Sequence, residues 1–400
     1  MSGSTVRVCI APGDVAWNRG DEAILAGVLR GLEEDEREFE VVCVFTSDPE
    51  RVTRRHGVPA ILDGPTHIPV ITRMIRQSDV MIFGGGHLLQ DESSQLFIPF
   101  QLFKVVAAIA LRRKVFCFAV GAGPIRTAFS RATVRWICSR LAAISTRDDE
   151  SRAWLKRTGI VRPPIMVTAD PAVLVAPAPE TKGREILERE GVDLRETPVV
   201  GIAPRLWFHY GHHLVPVALR RRWGLLSRKQ LARFEELEQF FADTADTLIE
   251  RLGAQVVFVP MSLGPGQEDH QLAQRVRKRM RFPKSAVCLS GDYPPAELKA
   301  VIGRLSLMIG VRLHSTIMST SALVPSIHLA YGHKGHEYFR AIRMTNFALD
   351  LEDATVSSVV DLSLKALAEQ AEIRTALSEA IPEVERRAQL NFKMLGDLVA

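Results

Sequence analysis

The sequence has few cysteines, and no two of them stand at the CxxC spacing of a metal or redox motif. Four of the five lie inside apolar, strand-like runs, as in VRVCIA and KVFCFAV. Buried free thiols in a reducing compartment explain this pattern. The cysteines therefore predict neither a disulfide framework nor a metal site, and we expect no bound metal.

A targeting segment and long apolar runs are also lacking. The chain begins MSGSTVRVCIAPGD, without the basic start and apolar core of a secretory signal. The longest apolar stretch runs from Val105 to Leu111, far short of the ~18 residues that span a membrane. We therefore expect a soluble, cytoplasmic protein, and peripheral contact with the inner face of a membrane stays open.

The net charge is small, at +5 for 400 residues. This balance suits an anionic small molecule but gives little reason to expect a nucleic-acid partner. The densest cationic run, Arg220 to Arg222, is typical of a solvated surface. The share of hydrophobic residues, 46%, is that of a folded globular protein, and the length predicts two or three domains.

Short apolar runs alternate with longer amphipathic ones, a pattern typical of β-α-β units around parallel sheets. The near-continuous apolarity of the short runs indicates that both faces of each sheet are covered. The predicted strands are Val6–Ala11, Val41–Thr46, Val80–Phe83, Val115–Val120, Ala143–Thr146, Ile165–Val167, Val199–Ala203, Gln255–Pro260, Ala286–Leu289, Leu307–Gly310 and Ser326–Ala330. The predicted helices include Glu22–Leu32, Pro99–Leu111, Ala132–Arg140, Arg233–Leu252 and Pro295–Ile302.

A proline-rich stretch from Ala176 to Pro179 separates two halves with the same alternation, and it is typical of a linker. The sequence thus predicts an α/β protein with two Rossmann-like domains that face each other across a cleft. The first domain is residues 1–175 and the second is residues 176–355. We expect helices over residues 356–400 to pack back on the first domain.

Glycine turns follow two successive strands, and each brings backbone amides within reach of a ligand. Their candidate substrate-binding residues are Gly85, Gly86, Gly121 and Gly123. Either turn alone could be a plain tight turn. Near the first strand, NRGDE opens a helix and adds Asn18, Gly20 and Asp21 as candidates, with helix capping by Asp21 as the alternative.

Arg147 stands at the end of the fifth predicted strand, where its guanidinium could clamp a carboxylate or phosphate. The alternative is a surface arginine that balances Asp148. Asp170, at the end of the sixth strand, has the context of a structural turn.

In the second half, GVRLHS follows a strand, and alternation along an extended segment would place Arg312 and His314 on one side. A cation beside an imidazole predicts an anion clamp with a proton donor, and Ser315 adjoins them. The alternative is a buried histidine with satisfied hydrogen bonds. Arg205 and Lys334 stand at equivalent strand ends and are further candidates.

A histidine cluster in WFHYGHH comprises His209, His212 and His213. No carboxylate or cysteine accompanies it at ligand spacing, so a mobile loop near a bound substrate is favoured over a metal site.

Six segments, NRGDEAIL, GGGHLLQD, GAGPI, STRDDES, ADPA and GVRLHS, resemble in order and spacing the polysaccharide pyruvyl transferase family. The resemblance runs from about Val6 to Lys334 and implies a fold similar to glycosyltransferase B. It places the family's motif arginines on Arg147 and Arg312 and its motif histidine on His314. The segments GHKGHEYF and WFHYGHH depart from the family's pattern and leave the acceptor open.

The resemblance implies transfer of the enolpyruvyl unit of phosphoenolpyruvate onto two hydroxyls of a sugar, as a cyclic ketal. No cofactor is implied beyond this donor, and the partner is a saccharide acceptor, free or lipid-linked. On this interpretation Arg147 and Arg312 anchor the donor, His314 is the general acid, and Asp21 or Asp91 receives a hydroxyl proton. The alternatives are a nucleotide-sugar glycosyltransferase or epimerase of the same architecture, and a protein that only binds an acidic glycan.

Overall fold

The computed structural model of the protein describes residues 5–92, 97–194, 197–206, 223–264 and 269–400. The described residues form two compact units. Unit one holds those up to Leu174 together with Val384–Ala400, and unit two holds those from Val175 to Glu383. The cluster of His209, His212 and His213 and the arginine run at 220–222 lie outside the described residues.

Unit one is built on a parallel sheet whose described strands run in the order β3-β2-β1-β4-β5-β6-β7. The strands are β1 Val6–Ala11, β2 Phe39–Thr46, β3 Ala60–Leu62, β4 Val80–Gly84, β5 Lys114–Val120, β6 Ala143–Thr146 and β7 Ile165–Val167. The central strands are apolar almost throughout because helices cover both faces of the sheet. The strand order reverses between β1 and β4, and open parallel sheets bind ligands at such a switch point.

The helices of unit one are α1 Arg19–Glu33, α2 Pro49–His56, α3 Ile68–Gln77, α4 Phe97–Ala110, α5 Ala128–Cys138 and α6 Asp149–Arg157. On one face of the sheet α3, α4 and α5 pack side by side. The opposite face carries the end of the C-terminal helix, where Phe392 packs edge-on against Phe118 with ring centroids 5.3 Å apart. Both faces are therefore buried.

Unit two repeats this plan, with a parallel sheet in the order β10-β9-β8-β11-β12-β13 among the described strands. The strands are β8 Val199–Ala203, β9 Gln255–Phe258, β10 Ala286–Cys288, β11 Leu307–Gly310, β12 Ser326–Ala330 and β13 Ala348–Asp350. The further helices are α7 Glu180–Arg189, α8 Arg228–Leu252, α9 Asp269–Arg279, α10 Pro295–Ile302, α11 Leu313–Thr320, α12 His333–Ala341, α13 Val356–Ala368 and α14 Gln370–Val399. The switch point of this sheet lies between β8 and β11.

The predicted strands are confirmed, each within two residues of its observed ends. The three-residue strands β3 and β13 at the sheet edges were not predicted, although the equally short edge strands β7 and β10 were. No helix within the described ranges combines the length and apolarity needed to cross a bilayer.

Candidate functional site

Asn18, rather than Asp21, caps helix α1. The side-chain oxygen of Asn18 accepts hydrogen bonds from the backbone N–H groups of Gly20 at 2.9 Å and Asp21 at 3.4 Å. The helix therefore begins at Arg19, and the capping alternative for Asp21 is wrong. The Asp21 carboxylate turns back toward the loop after β1, where its Oδ2 accepts from the N–H of Asp14 at 3.0 Å.

Asp14 and Asp21 form a carboxylate pair at the end of β1. Partial desolvation, and then the charge of Asp21, raise the pKa of the Asp14 carboxyl above its ordinary value. A carboxylate with a raised pKa is the stronger base, so Asp14 suits proton transfer from a hydroxyl. The sequence prediction missed Asp14, although APGD directly after a strand was a usable signal.

The two predicted glycine turns lie against each other. The N–H of Gly121 donates to the carbonyl of Gly86 at 2.8 Å, and the N–H of Gly123 donates to the carbonyl of Leu89 at 2.8 Å. Gly85 has a φ of 79°, and a Cβ there would lie 2.4 Å from the Ile24 side chain. Only glycine fits this position, and the two turns form a single backbone layer.

Three polar side chains meet around this layer. A Cβ on Gly121 would lie 2.7 Å from Nδ1 of His87 and 3.1 Å from Nη2 of Arg147. A Cβ on Gly86 would lie 3.3 Å from Oδ1 of Asp21. The glycines thus leave room for an imidazole, a guanidinium and a carboxylate at one sheet edge. His87 lies within a predicted motif, but no feature of its sequence context singled it out.

Arg147 is buried, so the alternative of a surface arginine is wrong. Its Nη1 donates to Asp170 at 2.7 Å, while its Nε lies 3.7 Å from Asp148. Burial works to lower the pKa of Arg147, but the charges of Asp170, Asp148 and Asp21 outweigh it, and the pKa is raised. Asp170, predicted as a structural turn, also accepts from the N–H of Ala172 at 3.0 Å. Arg147 is therefore held in place, and the neighbouring carboxylates already balance its charge.

Asp91 has a structural role in unit one. Its side chain is fully buried, and its two oxygens accept hydrogen bonds from the N–H groups of Arg126 and Thr127 at 2.8 to 3.0 Å. A carboxylate held in this way stabilises the turn before α5. This geometry argues against the predicted role of Asp91 in substrate binding or proton transfer.

In unit two, the segment after β11 is not the extended one that the sequence predicted. Helix α11 begins at Leu313, directly after Arg312. The Arg312 guanidinium is buried against Asp269, with Nε to Oδ2 at 2.6 Å and Nη2 to Oδ1 at 3.1 Å. His314 lies in the first turn of α11 and is partly exposed. Arg312 therefore occupies the N-cap position of a helix that carries His314 in its first turn, and the predicted alternation along a strand is wrong.

Ser315 is also committed to this turn. Its side chain is fully buried, and its hydroxyl donates to the Arg312 carbonyl at 2.6 Å. A Cβ on Gly310 would lie 2.2 Å from the same hydroxyl, so the turn is tightly packed. This geometry argues against the predicted contact between Ser315 and a substrate.

Arg205 and Tyr331 join the ends of β8 and β12. The Arg205 guanidinium donates to the Tyr331 hydroxyl and lies 4.6 Å from the centroid of its ring. Lys334 follows in the first turn of α12 and is partly exposed. Arg205 and Lys334 are therefore the partly exposed cations among the predicted residues of this edge. The sequence prediction missed Tyr331.

The fully packed histidine of unit two is His328. Burial, and then the neighbouring His336, lower the pKa of His328 to about 3. Its ring stacks on Phe339 with centroids 5.6 Å apart, and its Nδ1 lies 3.3 Å from the Thr316 hydroxyl. His328 is therefore neutral and part of the core.

The charged side chains at the two sheet edges differ in their predominant sign: carboxylates prevail in unit one and cations in unit two. In unit one the carboxylates Asp14, Asp21, Asp148 and Asp170 outnumber the guanidinium groups, which are Arg147 and, near Asp14, Arg51. Unit two brings three cations and one carboxylate; these are Arg205, Arg312 and Lys334 with Asp269. In the ranges that the structure describes, no group of three or more metal-ligating side chains is placed to hold an ion.

Comparison with known proteins gives a consistent result. The family model described as polysaccharide pyruvyl transferase matches residues 18–333, which include the motifs of both edges. The amylovoran biosynthesis protein AmsJ of Erwinia amylovora is 20% identical, covering 98% of this chain and 99% of that protein.

Solved structures of similar fold share little sequence with this chain. UDP-GlcNAc 2-epimerase from Neisseria meningitidis, bound to UDP-GlcNAc, has a TM-score of 0.61 at 11% identity, covering 98% of this chain and 99% of that one. HepE from Anabaena, in complex with UDP-glucose, has a TM-score of 0.58 at 10% identity, covering 98% of this chain and 99% of that one. ADP-heptose LPS heptosyltransferase II from E. coli has a TM-score of 0.50 at 15% identity, covering 92% of this chain and 100% of that one. These likenesses confirm two parallel-sheet α/β domains of the glycosyltransferase-B kind.

Proposed function

The chain belongs to the polysaccharide pyruvyl transferase family, and on that premise we propose that it pyruvylates a saccharide with phosphoenolpyruvate as donor. The family and the relative AmsJ make it a transferase of polysaccharide biosynthesis. The use of phosphoenolpyruvate as donor is supported by the family match, which spans both sheet edges, and by the opposite charge of the two edges. No further cofactor and no metal are part of the proposal.

We assign the donor to the second domain, residues 176–355. Phosphoenolpyruvate carries a carboxylate and a phosphate, so its site needs more than one cation. Arg205 and Lys334 supply partly exposed cations at the carboxyl edge of this sheet. Arg312, already paired with Asp269, fixes the helix start that presents His314. Because Arg147 and Arg312 are already paired with carboxylates, we assign the anchoring role predicted for them to Arg205 and Lys334 instead.

The acceptor belongs in this scheme to the first domain, residues 1–175. Sugar hydroxyls are neutral donors and acceptors, which suits a carboxylate-rich edge with close backbone approach. Asp21, His87 and Arg147 surround the glycine turns there. Asp14, whose pKa is raised by desolvation and then by the charge of Asp21, accepts the proton of the attacking hydroxyl. We propose that the end of the C-terminal helix, Val384–Ala400, supports the first domain, whereas α13 packs on α8, β11 and β12 of unit two.

The reaction then proceeds in balanced steps. His314 gives a proton to the terminal methylene carbon of the donor, and the second carbon becomes electrophilic. One sugar hydroxyl adds to that carbon and loses its proton to Asp14. Phosphate leaves with the electron pair of the C–O bond. The neighbouring hydroxyl closes the ring as a ketal, and its proton goes to the leaving phosphate.

A ligand-binding comparison tests the donor. Phosphoenolpyruvate should raise the melting temperature, and UDP-sugars at equal concentration should not, because only a bound ligand stabilises the folded state. Stabilisation by UDP-sugars alone would instead favour the glycosyltransferase or epimerase alternative. Binding of the donor without phosphate release on a saccharide acceptor would favour a protein that only binds.

Substitution of His314 tests the acid. General acid catalysis contributes about 10²–10⁴-fold, so His314→Ala should lower the rate of phosphate release by that order. His67→Ala, a histidine of unit one outside the proposed site, is the matched control and should keep full turnover. Near-normal turnover of His314→Ala at unchanged melting temperature would refute the assignment.

A further inference from the structure

Helix α4 of unit one presents an uncharged face to solvent. Its one charged residue, Lys104, is buried and paired with Asp63 at 2.5 Å. Phe100 and Val106 point outward and are 45% and 37% exposed. A surface helix of a globular domain ordinarily carries charged side chains on its outer face, so this helix is exceptional.

The neighbour α5 continues this surface with aromatic and basic side chains. Phe129 and Trp136 stand seven residues apart on its outer face and are 63% and 50% exposed. Arg131 and Arg135 are exposed between them, and neither forms an ion pair with a carboxylate in the described parts of the chain. Aromatic rings interleaved with arginines are typical of a helix that lies at a membrane interface.

Helix α3, on the other side of α4, shows the same chemistry. Ile68 and Val70 are about half exposed there, beside the exposed Arg73 and Arg76. The surface formed by the outer faces of α3, α4 and α5, which we call the α3–α5 surface, is thus apolar in the middle and basic on both sides.

The charge of this part of the sequence is predominantly positive. Between Ile68 and Ala142 basic residues outnumber acidic ones. The basic residues are Arg73, Arg76, Lys104, Arg112, Arg113, Lys114, Arg126, Arg131, Arg135 and Arg140, and the acidic ones are Asp79, Asp91 and Glu92. None of the acidic residues lies within α3, α4 or α5. Such a surface complements a negatively charged partner.

A cavity at the end of α5 adds a place for an anionic group. It measures about 550 Å³ and is lined by Arg131, Arg135, Trp136, Arg140 and Arg157, with smaller residues between them. The Arg140 guanidinium lies 4.3 Å from the centroid of the Trp136 ring, which holds both side chains at the rim. A phosphate headgroup is small enough to enter and would meet several guanidinium groups.

We infer that the α3–α5 surface docks on an anionic membrane. Its apolar side chains lie at the boundary between the lipid headgroups and the acyl chains, and its arginines bind lipid phosphates. Phe129 lies near the amino end of α5, which follows the Gly121–Gly123 turn, and the arginine cavity lies at the carboxyl end of the same helix. Docking of the whole surface therefore places the proposed acceptor edge beside the membrane, where a lipid-borne saccharide would be presented. The inference itself depends on surface residues alone and not on the proposed function.

The experiment is co-sedimentation of the full chain with vesicles, without donor or acceptor. Vesicles that contain phosphatidylglycerol besides phosphatidylcholine should bind the protein, and vesicles of phosphatidylcholine alone should bind it much less. Each arginine near an anionic surface changes partitioning about fivefold. Arg131→Gln/Arg135→Gln should therefore weaken binding by about 25-fold. Phe129→Ser/Trp136→Ser should weaken binding to a similar or larger extent.

Controls of equal chemistry are found in unit two. Arg228→Gln/Arg233→Gln removes the same charge from an exposed helix start, and Trp223→Ser removes a 58% exposed tryptophan. Both should bind vesicles as the unchanged protein does. Equal losses in test and control variants, or no binding to the anionic vesicles, would overturn the inference. A change of oligomeric state in Phe129→Ser/Trp136→Ser with unchanged vesicle binding would assign the surface to a second copy instead.

Discussion

The ion pair between Arg312 and Asp269 should behave as a buried structural element whose two halves cannot be removed separately. The side chains are 8% and 4% exposed, and two hydrogen bonds join them. Asp269→Leu leaves a buried guanidinium without its counter-charge, and Arg312→Met leaves a buried carboxylate without its own. Each should destabilise unit two by about 3–5 kcal/mol.

The double variant is the informative one. Asp269→Leu/Arg312→Met removes both charges and fills the space with apolar side chains, so its cost should be well below the sum of the single costs. For a folding unit of this size each kcal/mol lowers the melting temperature by about 2–4 °C. The single variants should therefore melt roughly 6–20 °C below the unchanged protein.

Urea and thermal unfolding of the four proteins at neutral pH give the coupling free energy. Hydrogen exchange of the β11 amides reports on unit two separately, which matters because two units need not unfold together. Single costs below about 1 kcal/mol that simply add would show a solvent-screened pair and refute the reasoning.

Three further predictions concern single side chains. Gly121→Ala puts a methyl group 2.7 Å from Nδ1 of His87, so that ring must move, and turnover should fall at least about tenfold with the melting temperature little changed. Asp21→Asn removes the charge that helps raise the pKa of Asp14, so the acidic limb of the pH profile of kcat/KM should move to lower pH. An unmoved limb would exclude Asp14 as the base. His328 stays neutral down to a pKa of about 3, whereas the unfolded chain takes up that proton near pH 6.5, so stability falls as the pH drops between these values. Between pH 7 and pH 5 a His328→Met variant should lose about 2 kcal/mol less than the unchanged protein in urea unfolding, and equal losses would show a normally titrating ring.

The strands could be predicted because their apolar runs are nearly uninterrupted. VRVCIA and VVGIA are buried from both sides, and no other element of that length accounts for such runs. The edge strand Ala60–Leu62 was missed although Ile165–Val167, equally short and partly exposed, was predicted, and neither length nor burial distinguishes the two.

The candidate site could be predicted only to the level of its motifs. The glycine turns and Arg147 were found because parallel strands bring their carboxyl ends to one edge. The carboxylates that balance each guanidinium were not predicted, because they are distant in sequence. Asp170 is 23 residues from Arg147, and Asp269 is 43 residues from Arg312. A single sequence gives no signal for such distant pairing, and both arginines were therefore assigned as open anchors.

The helix start at α11 was wrongly predicted as an extended segment. Alternation along GVRLHS suggested a continued strand, but the helix begins directly after Arg312. The Ser315 hydroxyl bonds back to the Arg312 carbonyl, a local hydrogen bond that competes with strand pairing. Serine shortly after a strand was the available indication of this turn.

Mass spectrometry of surface glycans is the most direct test of the proposed pyruvyl transfer. Glycans from cells that make the active protein are compared with those from cells that make His314→Ala at equal abundance. We expect pyruvate ketals on a saccharide in the first sample and their loss in the second. Glycans with the same pyruvate content in both samples, or with none in either, would contradict the proposal.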